Sequence, residues 1–157
     1  YCLNYVLPKE LSEEIINQGF KDVVSSEEEF CKEWYMTAEE ICAMDNEFKN
    51  IGSHAWTHCA LKQLKEKDCE SELKQSKELL EAITAREVID ISYPLGNKNA
   101  VSAREGDLAH KLGYKYGFTM NRGVNLNLNN PLMLNRYDAN DIDVAITNKT
   151  RTMYASK

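Results

Sequence analysis

The segment Ile51-Gly52-Ser53-His54-Ala55-Trp56-Thr57-His58 joins a brief apolar run, Asn50 to Ser53, to two histidines four residues apart. It reads as a short strand near Gly52 that ends at a polar, chemically capable turn. In α/β folds the ends of strands are where sites are built, so this junction sets the frame for the rest. Downstream, Leu61 to about Ala85 places Cys69, Leu73, Ser76, Leu80 and Ile83 at spacings of four, three, four and three, the stripe of an amphipathic helix. Its opposite face, from Lys62 through Lys65, Lys74 and Glu78, is charged and reads as solvated. Val88 to Tyr93 is a second strand, stopped at Pro94 and turning at Gly96. Ala103 to Leu112 is a helix ended by Gly113, and Tyr114 to Met120 is the next strand. After Pro131 the alternation of Leu134, Arg136 and Asp138 has the period of another.

Upstream, Tyr1 to Leu7 is predicted as a strand stopped by Pro8, and Ser12 caps a short helix through Ile15 and Ile16 to about Gly19. Ser26 with Glu29 and Thr37 with Glu40 each make a capping box; the second opens a helix with Ile41 and Met44 on its apolar side. Strands alternating with helices, without repeats or linkers, predict one α/β domain with parallel strands across residues 1–157.

Composition narrows the function. Nineteen Lys and Arg against 25 Asp and Glu give a net charge of 19 − 25 = −6, opposite to what a nucleic-acid or anionic-membrane surface needs. No apolar run is long enough to span a bilayer. Tyr1 to Pro8 has neither a basic start nor a long apolar stretch, so no signal peptide is expected, and the missing initial Met points to a processed or trimmed start. Five cysteines form an odd, scattered set without a C-x-x-C pair, which reads as reduced structural thiols and favours a cytoplasmic setting.

The chemistry concentrates in His54 and His58. On a helical turn, spacing of i and i+4 puts both rings on one side, where one metal ion can take both nitrogens. A zinc-protease reading fails because Ala55 stands where such a helix carries its water-activating Glu. A pH-sensitive surface pair and a plain zinc-binding interaction domain are the other readings of the spacing. Trp56 between the histidines can stack on a sugar face or fill space beneath the loop.

The flanking residues add a family. Ile51 to His58, followed by Leu61 and Leu64, resembles the second motif of NodB-type polysaccharide deacetylases, carbohydrate esterase family 4. Tyr35 to Glu40 is similar to the helix leading into it, and Ile91-Ser92-Tyr93-Pro94-Leu95-Gly96 to the third motif. Leu112 to Thr119 and Pro131 to Arg136 resemble the segments that follow, in the right order. The resemblance implies a distorted (β/α) barrel that hydrolyses acetyl groups from N-acetylated sugars of a glycan. It implies a divalent metal, usually zinc, on His54 and His58, a third Asp ligand and a second Asp as general base. It further implies the Leu95 N–H as an oxyanion donor, Tyr93 and Pro94 as groove wall, and Arg136 as the arginine that orients the base. Many relatives work at the cell envelope, against the cytoplasmic reading of the thiols.

The chain departs from the pattern at four places. No Thr-Phe-Asp-Asp first motif occurs, and Tyr1 to Leu7 resembles the strand after it, so the domain is expected to lack its first strand. Ser92 replaces an Arg, Leu95 replaces an aromatic, and no Leu-x-His motif follows Arg136. The readings this leaves are a trimmed chain, a partner or self-association through the exposed barrel edge, and a catalytically inactive carbohydrate-binding or scaffold remnant of the same fold. Asp90, facing the same way as Ser92 in a strand, is the in-chain candidate for a third ligand, or else a polar residue at the barrel's closed end. Trp34 and Tyr35 are expected in the core, ahead of the groove rim, Cys59 as a buried thiol, His110 as surface or structural, Asn125 to Asn130 as loop and Thr147 to Lys157 as frayed.

Overall fold

A computed structural model describes residues 1–139, so the expected fraying of Thr147 to Lys157 lies outside the described residues. Among the described residues, six helices and two strands follow in order: α1 (Cys2–Tyr5), α2 (Lys9–Val23), α3 (Glu27–Trp34), α4 (Ala38–Phe48), α5 (Glu66–Thr84), β1 (Asp90–Ser92), α6 (Ala103–Lys111) and β2 (Tyr116–Phe118), with a 3₁₀ turn at Leu61–Gln63.

The N-terminus corrects the sequence reading. Tyr1 to Leu7 is no strand: Tyr5 N–H donates to Tyr1 O at 3.1 Å and Val6 N–H to Cys2 O at 3.0 Å, a single helical turn. A lone extended segment has no ladder to satisfy its backbone, and among the described residues no strand lies beside it, so it closes on itself. Pro8, which cannot donate, sits at the N-cap of α2, where no donor is needed. Ser12 is not a cap; it is buried inside α2, and its hydroxyl donates to Leu3 O at 2.9 Å, tying α1 down. Of the two later boxes, Thr37–Glu40 forms whole and Ser26–Glu29 only as its serine half. Ser26 Oγ accepts from Glu29 N–H, and the Thr37–Glu40 box is reciprocal at 3.2 and 2.8 Å.

The sheet is small and entirely parallel. Asp90, Ile91 and Ser92 of β1 pair with Tyr116, Gly117 and Phe118 of β2. Single parallel bridges extend it on both sides, Ser53 to Ile91 and Phe118 to Leu134. Four successive segments thus lie side by side in chain order, with α5 and α6 in the first two connections. That is the predicted alternation, with strands shorter than the apolar runs proposed for them.

The buried cluster comes wholly from residues after Ala60: Leu61, Cys69, Leu73, Val88, Ile91, Tyr93, Val101, Leu108, Ala109, Tyr114 and Leu132. Tyr114 OH donates to Leu73 O at 2.9 Å, and Tyr93 OH to Leu132 O at 2.9 Å, so both phenols keep partners in the core. Trp34 and Tyr35 lie outside it, 69% and 67% exposed. Their reason is local: Phe20 meets Phe30 edge to face at 5.2 Å and Phe30 stacks on Trp34 at 6.0 Å, joining α2 to α3 through rings instead of through the core. Only Cys69 of the thiols is fully buried; Cys59 is half-buried, and Cys2 and Cys31 are exposed.

On α4 the buried residue is Asp45; Ile41 is half-buried and Met44 exposed. Arg86 donates to both Asp45 oxygens at 3.0 and 2.6 Å, and the same carboxylate accepts from Ile51 N–H at 3.3 Å. Arg86 also donates to Ile51 O at 3.3 Å, so one ion pair fixes the chain where it enters the histidine segment. The Arg86 bond, foremost, holds the Asp45 carboxyl below its ordinary value of 3.8. A carboxyl depressed on folding stabilises above its unfolded pKa, and the contribution disappears as pH falls through its folded value. Asp45→Asn is therefore expected to lower the melting temperature at about pH 7, with the gap to wild type narrowing below about pH 4. A constant gap across a thermal melt series would overturn that assignment.

Candidate functional site

The two histidines meet, though not on a helix. Residues 54–58 form a loop in which Ala55 and His58 both take left-handed backbone, each at φ 58°. This reversal brings the His54 and His58 rings to 4.9 Å between centroids, edge to face at 60°. Two other left-handed non-glycine residues, Lys49 and Ala85, are helix C-caps, an ordinary use. The remaining three, Ala55, His58 and Leu95, all lie in the loops at this end of the sheet. Left-handed conformations of this kind cost about 1 kcal/mol each and persist where the surroundings enforce them.

His54 is oriented by β1. Its Nδ1 bonds the carbonyl oxygen of Ser92, and a carbonyl only accepts, so Nδ1 carries the proton and Nε2 keeps its lone pair outward. This is the arrangement in which metal-binding imidazoles are usually held. Partial desolvation, the adjacent His58 and the Arg136 guanidinium lower the His54 pKa against the opposing Ser92 bond, which favours the neutral, ligating form. The donor set therefore fits a divalent ion as two of its ligands. Among the described residues no third His, Cys, Asp or Glu completes the group. Asp90 lies two residues back along β1, with its Cβ and carbonyl against Gly52, and does not join the pair.

The second wall is the turn after β1. Leu95 is left-handed at φ 58°, Gly96 N–H closes the turn on Pro94 O at 2.6 Å, and Gly96 O accepts from Met120 N–H at 2.7 Å. Among the described residues no hydrogen bond uses the Leu95 N–H. Tyr93 and Pro94 are fully buried, so they support this turn from beneath and present no surface of their own to a ligand. Arg136 reaches across from the segment after Leu134, its Nη1 donating to Ser92 Oγ at 3.2 Å. Ser92 thus touches both His54, through its carbonyl, and Arg136, through its hydroxyl. Trp56, 49% exposed, projects from the histidine loop. His110 is exposed in the last turn of α6, apart from the others.

Sequence reading missed what holds the loop. Glu72, on α5, is only 4% exposed. Its Oε2 accepts from the Trp56 and Thr57 N–H groups at 3.1 and 2.7 Å, and its Oε1 from the Thr57 hydroxyl and Lys9 Nζ, both at 2.7 Å. Burial raises the Glu72 pKa, but the Lys9 and Thr57 bonds together outweigh it and leave the carboxyl below its ordinary value. The signal was present: Glu72 follows Cys69 by three and precedes Leu73, a charge on the helix's inward stripe.

Comparison with known proteins bears on the whole arrangement. A family model described as polysaccharide deacetylase matches residues 24–117, more than half of the chain. The chain is similar to the solved Streptococcus pyogenes deacetylase PplD in complex with acetate, at 28% identity and TM-score 0.59, covering 65% of this chain and 44% of that one. It is also similar to a polysaccharide deacetylase from Bacillus cereus, at 29% identity and TM-score 0.55, covering 65% of this chain and 32% of that one. The matched region is thus less than half the length of either relative. No curated protein matches the chain.

Proposed function

The chain belongs to the polysaccharide deacetylase family, and from that premise we propose that it removes acetyl groups from N-acetylated sugars of a glycan, using a divalent metal held by His54 and His58. The observation that carries this reading is the pair itself: two imidazoles 4.9 Å apart, with the Nδ1 of His54 committed to Ser92 O and its Nε2 left to ligate. Zinc suits the imidazole ligands and, when bound, would supply a Lewis acid and a water acidified towards neutrality. The parallel order from Ser53 to Leu134 fits an arc of a distorted (β/α) barrel, with the site at one end of its strands.

In this reading the Leu95 N–H donates to the oxyanion that develops as the acetyl carbonyl becomes tetrahedral. Arg136, fixed by Ser92, places a positive charge beside His54 and favours an anionic partner there. Trp56 offers a half-open ring face to the apolar side of a sugar. The sequence has no Thr-Phe-Asp-Asp stretch to give the family's third ligand and base. Among the described residues no third ligand joins the pair, and this favours one rival: a glycan-binding member without catalysis.

Acetate release from an N-acetylated chitin oligomer separates the two. The enzyme is expected to release acetate, lose that activity to a chelator and regain it with zinc. Oligomer binding without acetate release, with zinc present, would establish the rival instead.

A further inference from the structure

We infer that Glu72 is the positioning residue of the histidine pair, its buried carboxylate holding the 54–58 loop in the left-handed form that makes the two rings converge. The inference rests on reading His54 and His58 as ligands of one metal, and it extends that reading to a residue on α5 that touches neither ring.

The argument begins with the loop's own tendencies. Two non-glycine residues in left-handed backbone, Ala55 and His58, are unfavourable without support. The segment lies in no helix and pairs with the sheet only at Ser53. The Trp56 and Thr57 N–H groups, side by side between the strained positions, would otherwise face water or nothing. Both donate to one carboxylate oxygen, and the Thr57 hydroxyl takes the other. Three donors of one loop on one charged acceptor form a clamp stronger than neutral bonds of the same number.

Glu72 itself is well anchored. It lies on the 19-residue α5 between Cys69 and Leu73, both fully buried, so its backbone moves only with the core. Lys9 Nζ supplies the compensating charge at 2.7 Å, which also ties α2 to the site. A second tether, Ser53 Oγ to Ser76 Oγ at 2.9 Å, fixes the start of the loop to the same helix one turn further on. His54 is then steered from the opposite side by Ser92 O. The pair is held between α5 and β1, and Glu72 is the α5 half of that grip.

The test compares wild type, Glu72→Gln and Thr57→Val in the 157-residue chain. Three quantities are read: the nuclear Overhauser contact between the two imidazoles in metal-free protein, hydrogen exchange of the Trp56 and Thr57 amides, and zinc affinity by titration. Glu72→Gln keeps the shape but loses the charge. It is expected to weaken the inter-ring contact, speed both amides by at least about tenfold, and cut zinc affinity about 10- to 100-fold, the range for groups that orient ligands. A folded Glu72→Gln protein with its Leu73 and Ile91 amides still protected, yet with ring contact and zinc affinity unchanged, overturns the inference. Should Glu72→Gln fail to fold, Thr57→Val decides. It removes one donor at the loop's surface and is expected to lower zinc affinity several-fold and speed the Trp56 amide. No change in either overturns the inference. If wild type takes up no zinc, the metal reading falls separately, and the ring contact and amide exchange still decide whether Glu72 holds the loop.

Discussion

Replacing His54 by alanine is expected to remove zinc from the chain and, with it, all acetate release. The expected size follows from geometry. Groups that only orient a ligand are worth about 10- to 100-fold in metal affinity, so loss of a ligand itself should exceed about 100-fold. The effect should be confined to the site. His54 is exposed, its one hydrogen bond is to the Ser92 carbonyl, and substitutions at such places generally change stability by less than about 0.5 kcal/mol. Elemental analysis of dialysed protein should therefore show about one zinc per wild-type chain and almost none in His54→Ala, with melting temperatures nearly equal. His58→Ala should behave alike, since one imidazole without its neighbour is a poor site. Zinc retained at full stoichiometry and affinity in either variant would place the metal elsewhere and remove the basis for the proposed chemistry.

The parts of this architecture legible in the sequence are those written in local pattern. The Thr37–Glu40 box, the helix ended before Gly113 and the parallel alternation from Ser53 to Leu134 each rest on residues whose preference acts over one turn or one strand. The nearness of His54 and His58 was also legible, but for another reason than the one that holds. A helical turn would have placed them together by spacing; the chain does it with a left-handed loop clamped from α5. Such a clamp joins positions fifteen and sixteen residues apart, which no local period reports. The same limit explains Asp45 and Arg86, 41 residues apart. Tyr1 to Leu7 and the pair Trp34 and Tyr35 misled in the opposite sense. Their apolar character is real, but strand formation and core burial both need a partner surface, and among the described residues the buried cluster begins only at Leu61.

Gly117→Ala is expected to be strongly destabilising for so small a change, and the reason ties the core to the site. A Cβ on Gly117 would lie 2.5 Å from Leu132 O, 2.7 Å from Tyr93 OH and 2.9 Å from Leu132 C. None of these can retreat cheaply. Leu132 O already accepts from Tyr93 OH, and the same backbone is pinned by Gly117 N–H to Pro131 O at 2.8 Å and Leu134 N–H to Gly117 O at 2.7 Å. Relieving the clash therefore separates β2 from the segment beside it and strands a buried phenol. Overpacking of this kind costs about 1–3 kcal/mol and a buried group left without its partner about as much again, on the order of 4 kcal/mol together. That is a large share of the roughly 5–15 kcal/mol by which a domain is stable. Because Arg136 follows the displaced segment by two residues, its bond to Ser92 should be lost with it, and activity should fall even where the fold survives. Gly19→Ala provides the internal comparison. Gly19 lies inside α2 with nothing within 4 Å of an added Cβ, so the same methyl should stabilise by about 0.5–1 kcal/mol. Urea unfolding of the two variants should move in opposite directions from wild type; a Gly117→Ala protein within about 1 kcal/mol of wild type would mean that the 117–132 contact is looser than its distances require.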